Sequence, residues 1–277
     1  MSADGRVVVV VGIGGMGLAV ARRMGSGSTL VLADCNAATL EAAAVEIRAD
    51  GYRVVEHQTD VSDASSVASL AKMSTDLGRV EVLVHTAGVS PVQASVEAIL
   101  RVDLLGTALM LDAFAATIAN GGAGVFIASM AGTLFQQDPD LEKRLATTPT
   151  SELLDLPELA PQAISDPGTA YGLAKRANQL RVRAASVLWG QRGARVNSIS
   201  PGVISTPMGA AELSGPNGDY MRQMVDASPA RRLGTPHDIA SAVEFLAGPN
   251  STFITGTDLL VDGGVVASIL TGTGNGA

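Results

Sequence analysis

The sequence contains little cysteine and little histidine. Its 277 residues include one cysteine, Cys35, and three histidines. A single cysteine cannot form an internal disulfide, and so few soft ligands give no basis for predicting a metal site. We therefore expect no bound metal and a reducing, cytoplasmic compartment.

Basic clusters and long apolar runs are also missing. The formal net charge is −8 at pH 7, and the chain has no long basic run. A binding surface for nucleic acid or for an anionic membrane is therefore not expected. The valine run before Gly12 is too short for a signal-peptide core or a membrane span, so we predict no N-terminal targeting segment. Small molecules are the expected partners.

The residues that are present follow an α/β pattern. Hydrophobic residues make up 47% of the chain and charged residues 17%, which is ample for a buried core. Apolar strand segments alternate with amphipathic helical segments, as in βαβ units around a parallel sheet. One long helix is expected at residues 96–119 and the last helix at 237–246. We predict a Rossmann-type, doubly wound parallel sheet in a single domain spanning residues 1–277.

A glycine-rich turn follows the first predicted strand and precedes a helical segment. Glycines permit a tight turn and a close approach of the backbone to a pyrophosphate, which a helix N-terminus attracts. Glycine turns also serve packing alone, so the motif is weak by itself. The candidate phosphate-binding residues are Gly12, Ile13, Gly14, Gly15, Met16 and Gly17.

The second predicted strand ends in Asp34, which Cys35 follows. A carboxylate about twenty residues beyond such a turn accepts hydrogen bonds from the adenosine ribose and repels a 2′-phosphate. No arginine or lysine stands within the glycine turn or just after Asp34. The pattern favours NAD over NADP, and an ordinary helix cap is the alternative role for Asp34.

Two later strand ends carry polar or small residues. In a doubly wound sheet the carboxyl ends of the strands line the ligand crevice, so these residues would border the adenine and its ribose. Plain turns are the alternative interpretation. The segments are Thr59-Asp60-Val61 and His85-Thr86-Ala87-Gly88.

Tyr171 and Lys175 are the main candidates for chemistry. Residues four apart lie on one face of a helix, and a nearby ammonium favours the phenolate form of a tyrosine. With its pKa lowered toward neutrality, Tyr171 would exchange protons with a substrate. Ser129, after a predicted strand, is placed to hydrogen-bond a substrate oxygen, and Asp103 is an acid among apolar residues that needs a partner or a proton pathway. A solvated lysine, an exposed aromatic ring and a turn serine are the alternatives.

Taken in order, these motifs resemble the short-chain dehydrogenase/reductase superfamily over nearly the whole chain. The resemblance implies that Ser129 positions the carbonyl or alcohol, that Tyr171 exchanges the proton, and that Lys175 holds the nicotinamide ribose while acidifying Tyr171. It also implies that Pro201, Gly202, Val203, Ile204 and Thr206 flank the nicotinamide. The matching motifs are Asp60-Val61, Ala87-Gly88, Ser129, Tyr171 with Lys175, Asn197, Pro201-Gly202, Arg232 to Pro236 and Thr255 to Gly264.

The chain departs from the family pattern at three places. Val11 stands where the family usually has threonine, before a compressed glycine turn, and His85-Thr86 replaces a pair of asparagines. Asp103 stands where an asparagine usually helps a water-mediated proton relay to the lysine. An anionic Asp103 would either preserve this relay or overstabilise Lys175, and we include it among the candidate catalytic residues.

Two segments have candidate roles at the substrate. Residues 133–168 lengthen the connection between Ser129 and Tyr171, and resemble insertions in some bacterial hydroxysteroid dehydrogenases and carbonyl reductases. They are expected to form a wall or lid, with a surface or oligomer-interface excursion as the alternative. Residues 205–228 are rich in methionine and suggest a mobile lid over an apolar substrate.

The predicted function is an NAD(H)-dependent oxidoreductase that interconverts a secondary alcohol and a ketone on an apolar small molecule. By analogy with the family, a homodimer or homotetramer is expected. One alternative is an NAD-binding sensor with little turnover, because Asp103 disturbs the relay. A dehydratase or epimerase on the same scaffold is the other.

Overall fold

The structure, a computed structural model, describes residues 5–160 and 162–272. The N-terminal residues 1–4, on which the expectation about targeting partly falls, lie outside the described residues. So do Pro161, within the insertion, and residues 273–277. Among the described helices, none combines the length and the hydropathy needed to cross a membrane.

One parallel sheet forms the centre of the molecule. Its strands are β1 (Arg6–Val11), β2 (Thr29–Asp34), β3 (Arg53–Gln58), β4 (Arg79–His85), β5 (Ala123–Ile127), β6 (Arg195–Pro201) and β7 (Asp258–Val261). They lie in the order β3-β2-β1-β4-β5-β6-β7, so the chain reverses direction of winding between β1 and β4. Ligands bind outside the carboxyl ends of the strands at such a switch point. The predicted Rossmann-type fold is confirmed.

Helices cover both faces of the sheet. A helix follows β7, so the expectation that the helix at 237–246 would be the last was wrong: the apolar run after Gly264 continues as one more helix. The helices are α1 (Gly15–Met24), α2 (Ala37–Ala49), α3 (Ala64–Leu77), α4 (Val96–Ile99), α5 (Gly106–Ala115), α6 (Met130–Leu134), α7 (Pro139–Thr147), α8 (Pro167–Gln191), α9 (Pro207–Leu213), α10 (Gly218–Ala227), α11 (Pro236–Ala247) and α12 (Val265–Thr271).

Strand β1 supplies side chains to the cores on both faces of the sheet. Successive residues of a strand point to opposite faces. Val8 and Val10 pack with α1, α2 and α11, whereas Val7, Val9 and Val11 pack with α3, α5 and Trp189 of α8. All five valines are fully buried, and each stabilises the fold by about 1.5–3 kcal/mol relative to an exposed position. The glycine turn therefore starts from a rigid base.

The predicted helix 96–119 is helical without a break over 96–115, but it is not a uniform α-helix. A π-helix, Leu100–Leu105, joins α4 to α5, and α5 ends at Ala115. The wider turn changes which residues face α8, and π-bulges often mark functional sites. Asp103 lies within this π-helix.

The insertion folds against helices rather than extending into solvent. It contains α7 and two short 3-10 helices, Thr150–Asp155 and Pro157–Leu159. Its apolar side chains are buried with residues of α4, α5 and α8, which form a third core. Arg176 and Arg181 of α8 also bind the insertion through Glu142 and through the carbonyl oxygens of Leu145 and Thr148. The buried insertion residues are Leu145, Leu153, Leu159 and Ile164.

Candidate active site

A cleft of about 580 Å³ lies outside the carboxyl ends of β1, β2 and β4. This size lies within the range of ordinary cofactor pockets. We call it the glycine-turn cleft. Its lining includes most of the predicted cofactor residues, namely Gly12, Gly14, Gly15, Met16, Gly17, Asp34, Cys35, Asp60, Val61, Thr86, Ala87, Gly88 and Thr206.

Close backbone packing explains the glycines of the turn. Gly12 has φ 88°, and a Cβ there would lie 2.4 Å from the amide nitrogen of Ala87. At Gly17 a Cβ would lie 1.9 Å from the carbonyl oxygen of Gly12, whereas at Gly14 it would meet no atom within 4 Å. No side chain caps α1, so the first-turn N–H groups face the cleft beside Gly14. This cradle fits a pyrophosphate.

Ile13 takes part in the site only through its backbone. Its side chain is buried in the core, and it does not line the cleft. Its N–H donates a hydrogen bond of 2.8 Å to Oδ2 of Asp34, while the N–H of Asn36 donates to Oδ1 at 2.9 Å. These bonds fix the carboxylate at the cleft, and each oxygen keeps acceptor capacity. No arginine or lysine is among the described residues that line the cleft.

A second, smaller cavity of about 80 Å³ is lined by three of the four candidate catalytic residues, Ser129, Tyr171 and Lys175, whereas Asp103 does not line it. We call it the tyrosine cavity. Its lining also includes Pro201, Gly202, Ile204 and Thr206. Val203 is an exception, because it lines a different cavity near Asp262. The tyrosine cavity and the glycine-turn cleft share the residues Met16, Thr86, Gly88, Val89, Thr206 and Met208.

Tyr171 and Lys175 meet on one face of α8. The Nζ atom of Lys175 lies 5.3 Å from the centroid of the Tyr171 ring. Burial raises the pKa of the Tyr171 phenol, and the positive charge of Lys175 only partly offsets this, because Asp103 and Glu212 add negative charge nearby. The expectation of a net lowered pKa is therefore wrong for this structure. The lysine acts in the predicted direction, but burial outweighs it.

Asp103 forms an ion pair with Lys175. Its Oδ2 lies 3.4 Å from Nζ, and the Asp103 side chain is fully buried. Its Oδ1 accepts a hydrogen bond of 2.8 Å from the N–H of Val89. Burial would lower the pKa of Lys175, but Asp103 and Tyr171 raise it, so the pKa is raised overall and the lysine keeps its proton. The side chain that replaces the family's asparagine thus contacts the lysine directly.

His85 is buried behind this pair and does not line the cleft. Its ring packs on Phe126 at 5.5 Å, and neither ring nitrogen has a hydrogen-bond partner in the described part of the chain. Burial lowers the pKa of His85 to about 3, and Lys175 adds to this. The imidazole is therefore neutral at ordinary pH. Its neighbour Thr86 donates a hydrogen bond of 2.6 Å to the carbonyl oxygen of Gly12 and so fixes the turn.

Ser129 is held in place by α6 and α8. It is the N-cap of α6, and its Oγ accepts a hydrogen bond of 3.1 Å from the N–H of Ala131. Gly132 lets α6 lie on α8, since a Cβ there would be 2.6 Å from the carbonyl carbon of Lys175. Gln179 contacts the Ser129 carbonyl oxygen at 3.4 Å and the Ser200 hydroxyl at 2.8 Å. Serine, tyrosine and lysine are therefore set by one rigid packing unit.

The two proposed lid segments differ in their placement. Met208 of α9 lines both cavities, whereas Met221 and Met224 of α10 line neither. Among the described residues of 133–168, none lines either cavity. The insertion packs on α5 and α8 instead, and its role as a wall, a lid, or a surface or interface excursion stays a prediction.

Sequence reasoning missed several residues at the site. Asn36 and Thr39, at the start of α2, line the glycine-turn cleft, and Glu212 of α9 lines the tyrosine cavity. Helical spacing offered a signal for Glu212, because it lies four residues after Met208 and shares its face. It is also the one acid in α9.

The chain is similar to known proteins over most of its length. A family model described as short chain dehydrogenase matches residues 6–138, and one described as enoyl-(acyl carrier protein) reductase matches residues 147–266. The short-chain dehydrogenase/reductase bsc3 of Alternaria brassicicola is 40% identical, over 94% of this chain and 95% of the relative. A D-threitol dehydrogenase of Mycolicibacterium smegmatis is 32% identical, over 94% of this chain and 93% of the relative.

Solved structures show the same fold. The crystal structure of levodione reductase superposes with a TM-score of 0.76 at 24% identity. The match covers 97% of this chain and 100% of that protein. At this identity the likeness extends to the fold alone.

Proposed function

Because the chain belongs to the short-chain dehydrogenase/reductase family, and the relatives it matches are named dehydrogenases and reductases, we propose that it interconverts a secondary alcohol and a ketone with NAD(H). The observation that carries the proposal is the convergence of Ser129, Tyr171 and Lys175 on a cavity that shares its walls with the glycine-turn cleft. A substrate carbon in that cavity would lie beside a dinucleotide in the cleft.

Ser129 and Tyr171 would act on the same substrate oxygen. The bound nicotinamide supplies or accepts the hydride. The Ser129 hydroxyl donates a hydrogen bond to the oxygen, and Tyr171 gives it a proton in ketone reduction or takes one in alcohol oxidation. Burial raises the pKa of Tyr171, so the phenol is protonated at neutral pH, the state that reduction needs. Lys175 would hold the nicotinamide ribose, and its charge lowers the pKa of the phenol and so partly offsets the effect of burial.

Asp103 would act through Lys175. The carboxylate lies 3.4 Å from the ammonium and keeps it charged and in one position. No relay through water is needed to connect the two groups, because they are in direct contact. Asp103 is in this sense a positioning residue, one contact away from the reacting atoms.

NAD is the proposed cofactor. The family uses nicotinamide cofactors of both kinds. Asp34 presents a carboxylate at the end of β2, where a ribose hydroxyl would bind and a 2′-phosphate would be repelled. The described lining of the glycine-turn cleft offers no cationic side chain to a phosphate.

The substrate is proposed to have an apolar body. The tyrosine cavity is walled by Ile127, Val89, Ile204, Pro201 and Met208, and α9 closes it from one side. A cavity of about 80 Å³ holds only the reacting end of a substrate, so α9 would open to admit a larger molecule.

A cofactor and substrate screen tests the proposal. Purified protein is titrated with NADH and NADPH, and oxidation of each cofactor is followed with aliphatic, cyclic and steroid ketones. We expect NADH to be consumed with at least one class. Tight binding of NADH without consumption across the panel would favour the sensor, whose supporting observation is the ion pair between Lys175 and Asp103. Substrate change without net cofactor consumption would instead indicate a dehydratase or epimerase.

We also propose a homodimer or homotetramer. Strand β7 is an edge strand whose residues are all partly exposed, and the Phe253 side chain just before it is fully exposed. Unpaired edge backbone and an exposed ring suit association with a second copy. Sedimentation velocity at micromolar concentration tests this, and a monomer would overturn it.

A further inference from the structure

Glu212 is an ionisable group of the tyrosine cavity to which the proposed reaction gives no role. It lines the cavity together with Ser129, Tyr171 and Lys175. Its side chain is half-buried, and within residues 5–160 and 162–272 its carboxylate accepts no hydrogen bond. A carboxylate that has lost part of its water without gaining a donor is in an unfavourable state. A ligand that brings a donor would relieve it.

The position of Glu212 is fixed by the way α9 is attached. The side chain of Thr206 accepts a hydrogen bond of 3.0 Å from the N–H of Gly209, which caps the helix. At Gly209 a Cβ would lie 2.1 Å from the carbonyl oxygen of Ile204, so α9 packs tightly on the loop after β6. Met208 and Glu212 then share one face and both line the cavity. The acid is delivered by the same helix that closes over the substrate.

The charge of Glu212 affects the reacting groups of the cavity that it lines. Burial raises the pKa of Glu212 and the charge of Lys175 lowers it, while Glu212 in turn raises the pKa values of Tyr171 and Lys175. Glu212 lines the same cavity as Tyr171 and Lys175, and its charge acts on both of them. A substrate whose oxygen is held by Ser129 and Tyr171 would pass close to it.

The residues around Glu212 determine which kind of substrate group can donate a hydrogen bond to it. A cationic donor would have to bury its charge among largely apolar walls, which costs free energy. An anionic substrate would be repelled by Glu212. The remaining walls are largely apolar, with Val89, Ile127 and Met208 among them. A neutral hydroxyl on an otherwise apolar body satisfies all three conditions.

We propose that Glu212 is a specificity-determining residue that accepts a hydrogen bond from a second hydroxyl of the substrate, close to the reacting carbon. The preferred substrates are then diols and hydroxyketones with an apolar body, rather than simple alcohols or hydroxy acids. This inference rests on the proposed alcohol and ketone chemistry, and it adds the substrate class to it.

The test compares Glu212→Gln with wild type on three matched substrates: cyclohexanol, cyclohexane-1,2-diol and 2-hydroxycyclohexanecarboxylate. A hydrogen bond to a charged group is lost with the carboxylate, so we expect kcat/KM for the diol to fall about 10- to 100-fold, mainly through KM. The readout is the ratio of kcat/KM for the diol to that for cyclohexanol at the same pH, because Glu212 also raises the pKa of Tyr171 and a change in that pKa affects both substrates alike. Activity on the hydroxy acid should rise as the repulsion is removed.

Glu152→Gln is the matched control, since Glu152 is an exposed acid of the insertion that lines neither cavity. It should leave all three rates unchanged. An equal loss on cyclohexanol and diol, or no loss on the diol, would overturn the role of Glu212. If wild type oxidises none of the substrates, the proposed reaction fails for this class. The Glu212 inference is then decided by calorimetric titration of the diol into protein saturated with NADH, where equal affinity for wild type and Glu212→Gln would refute it.

Discussion

Substitution by alanine should affect the stability of the protein very differently at two glycines of the same turn, Gly14 and Gly17. Gly14→Ala adds a methyl group that meets no protein atom within 4 Å, at a residue with φ −78°, which alanine adopts freely. The free energy of unfolding should therefore change by less than about 1 kcal/mol. Gly17→Ala places the same methyl 1.9 Å from the Gly12 carbonyl oxygen. Overpacking of this kind costs about 1–3 kcal/mol or more, and it should appear in the free protein.

Gly14→Ala should weaken the binding of the cofactor although it leaves the stability of the free protein almost unchanged. The open space beside Gly14 is where we place the pyrophosphate, so the cost of the methyl group appears only in the complex. An overpacking cost of about 1–3 kcal/mol corresponds to a Kd for NADH that is about 5- to 150-fold higher. Denaturant unfolding and fluorescence titration with NADH measure the two quantities on the same sample. A Gly14→Ala protein of normal stability that binds NADH as tightly as wild type would refute the location of the phosphates.

Three further predictions concern the reaction. Tyr171→Phe should reduce turnover by at least about 10³-fold while the Kd for NADH stays within about threefold, and a mutant that keeps most of its rate would exclude Tyr171 as the proton donor. Asp34→Asn should lower the ratio of kcat/KM with NAD to that with NADP by about tenfold or more, because the repulsion of the 2′-phosphate is lost; an unchanged ratio would contradict this role. Asp103→Asn should move the rising limb of the pH profile of alcohol oxidation to lower pH. Asp103 raises the pKa of Tyr171, and oxidation needs the deprotonated phenol, so a limb that stays or moves upward would disprove the coupling.

The sequence was sufficient to predict the parts of the site that depend on local periodicity. Asp34 ends β2 and Tyr171 and Lys175 share a face of α8, because strand ends and helical spacing follow directly from the residue pattern. Packing between elements that are distant in the chain was not predictable in this way. The π-helix at Leu100–Leu105 has no periodic signature, so the direct pairing of Asp103 with Lys175 did not emerge from a uniform helix.

The burial of individual side chains was also not predictable from the sequence. The attraction between Lys175 and a phenolate follows from the helical spacing of the two residues. In the structure the phenol is also buried, and the charges of Asp103 and Glu212 act on it as well. Desolvation then decides the sign of the pKa shift. Likewise, residues 133–168 read as an irregular segment near the site, and only the structure shows that its described residues pack on α8 and line neither cavity.

The attachment of residues 133–168 to α8 has a consequence for the order in which the molecule assembles. The segment directly precedes the helix that it covers, so its contacts with α8 close short loops of chain and cost little entropy. Strand β1, by contrast, pairs with β4, from which five elements of the chain separate it. The segment and α8 can therefore behave as one cooperative unit, and amides of α8 should become protected from hydrogen exchange together with those of α7. A stretch of chain whose described residues line neither cavity would in this way stabilise the helix that carries Tyr171 and Lys175.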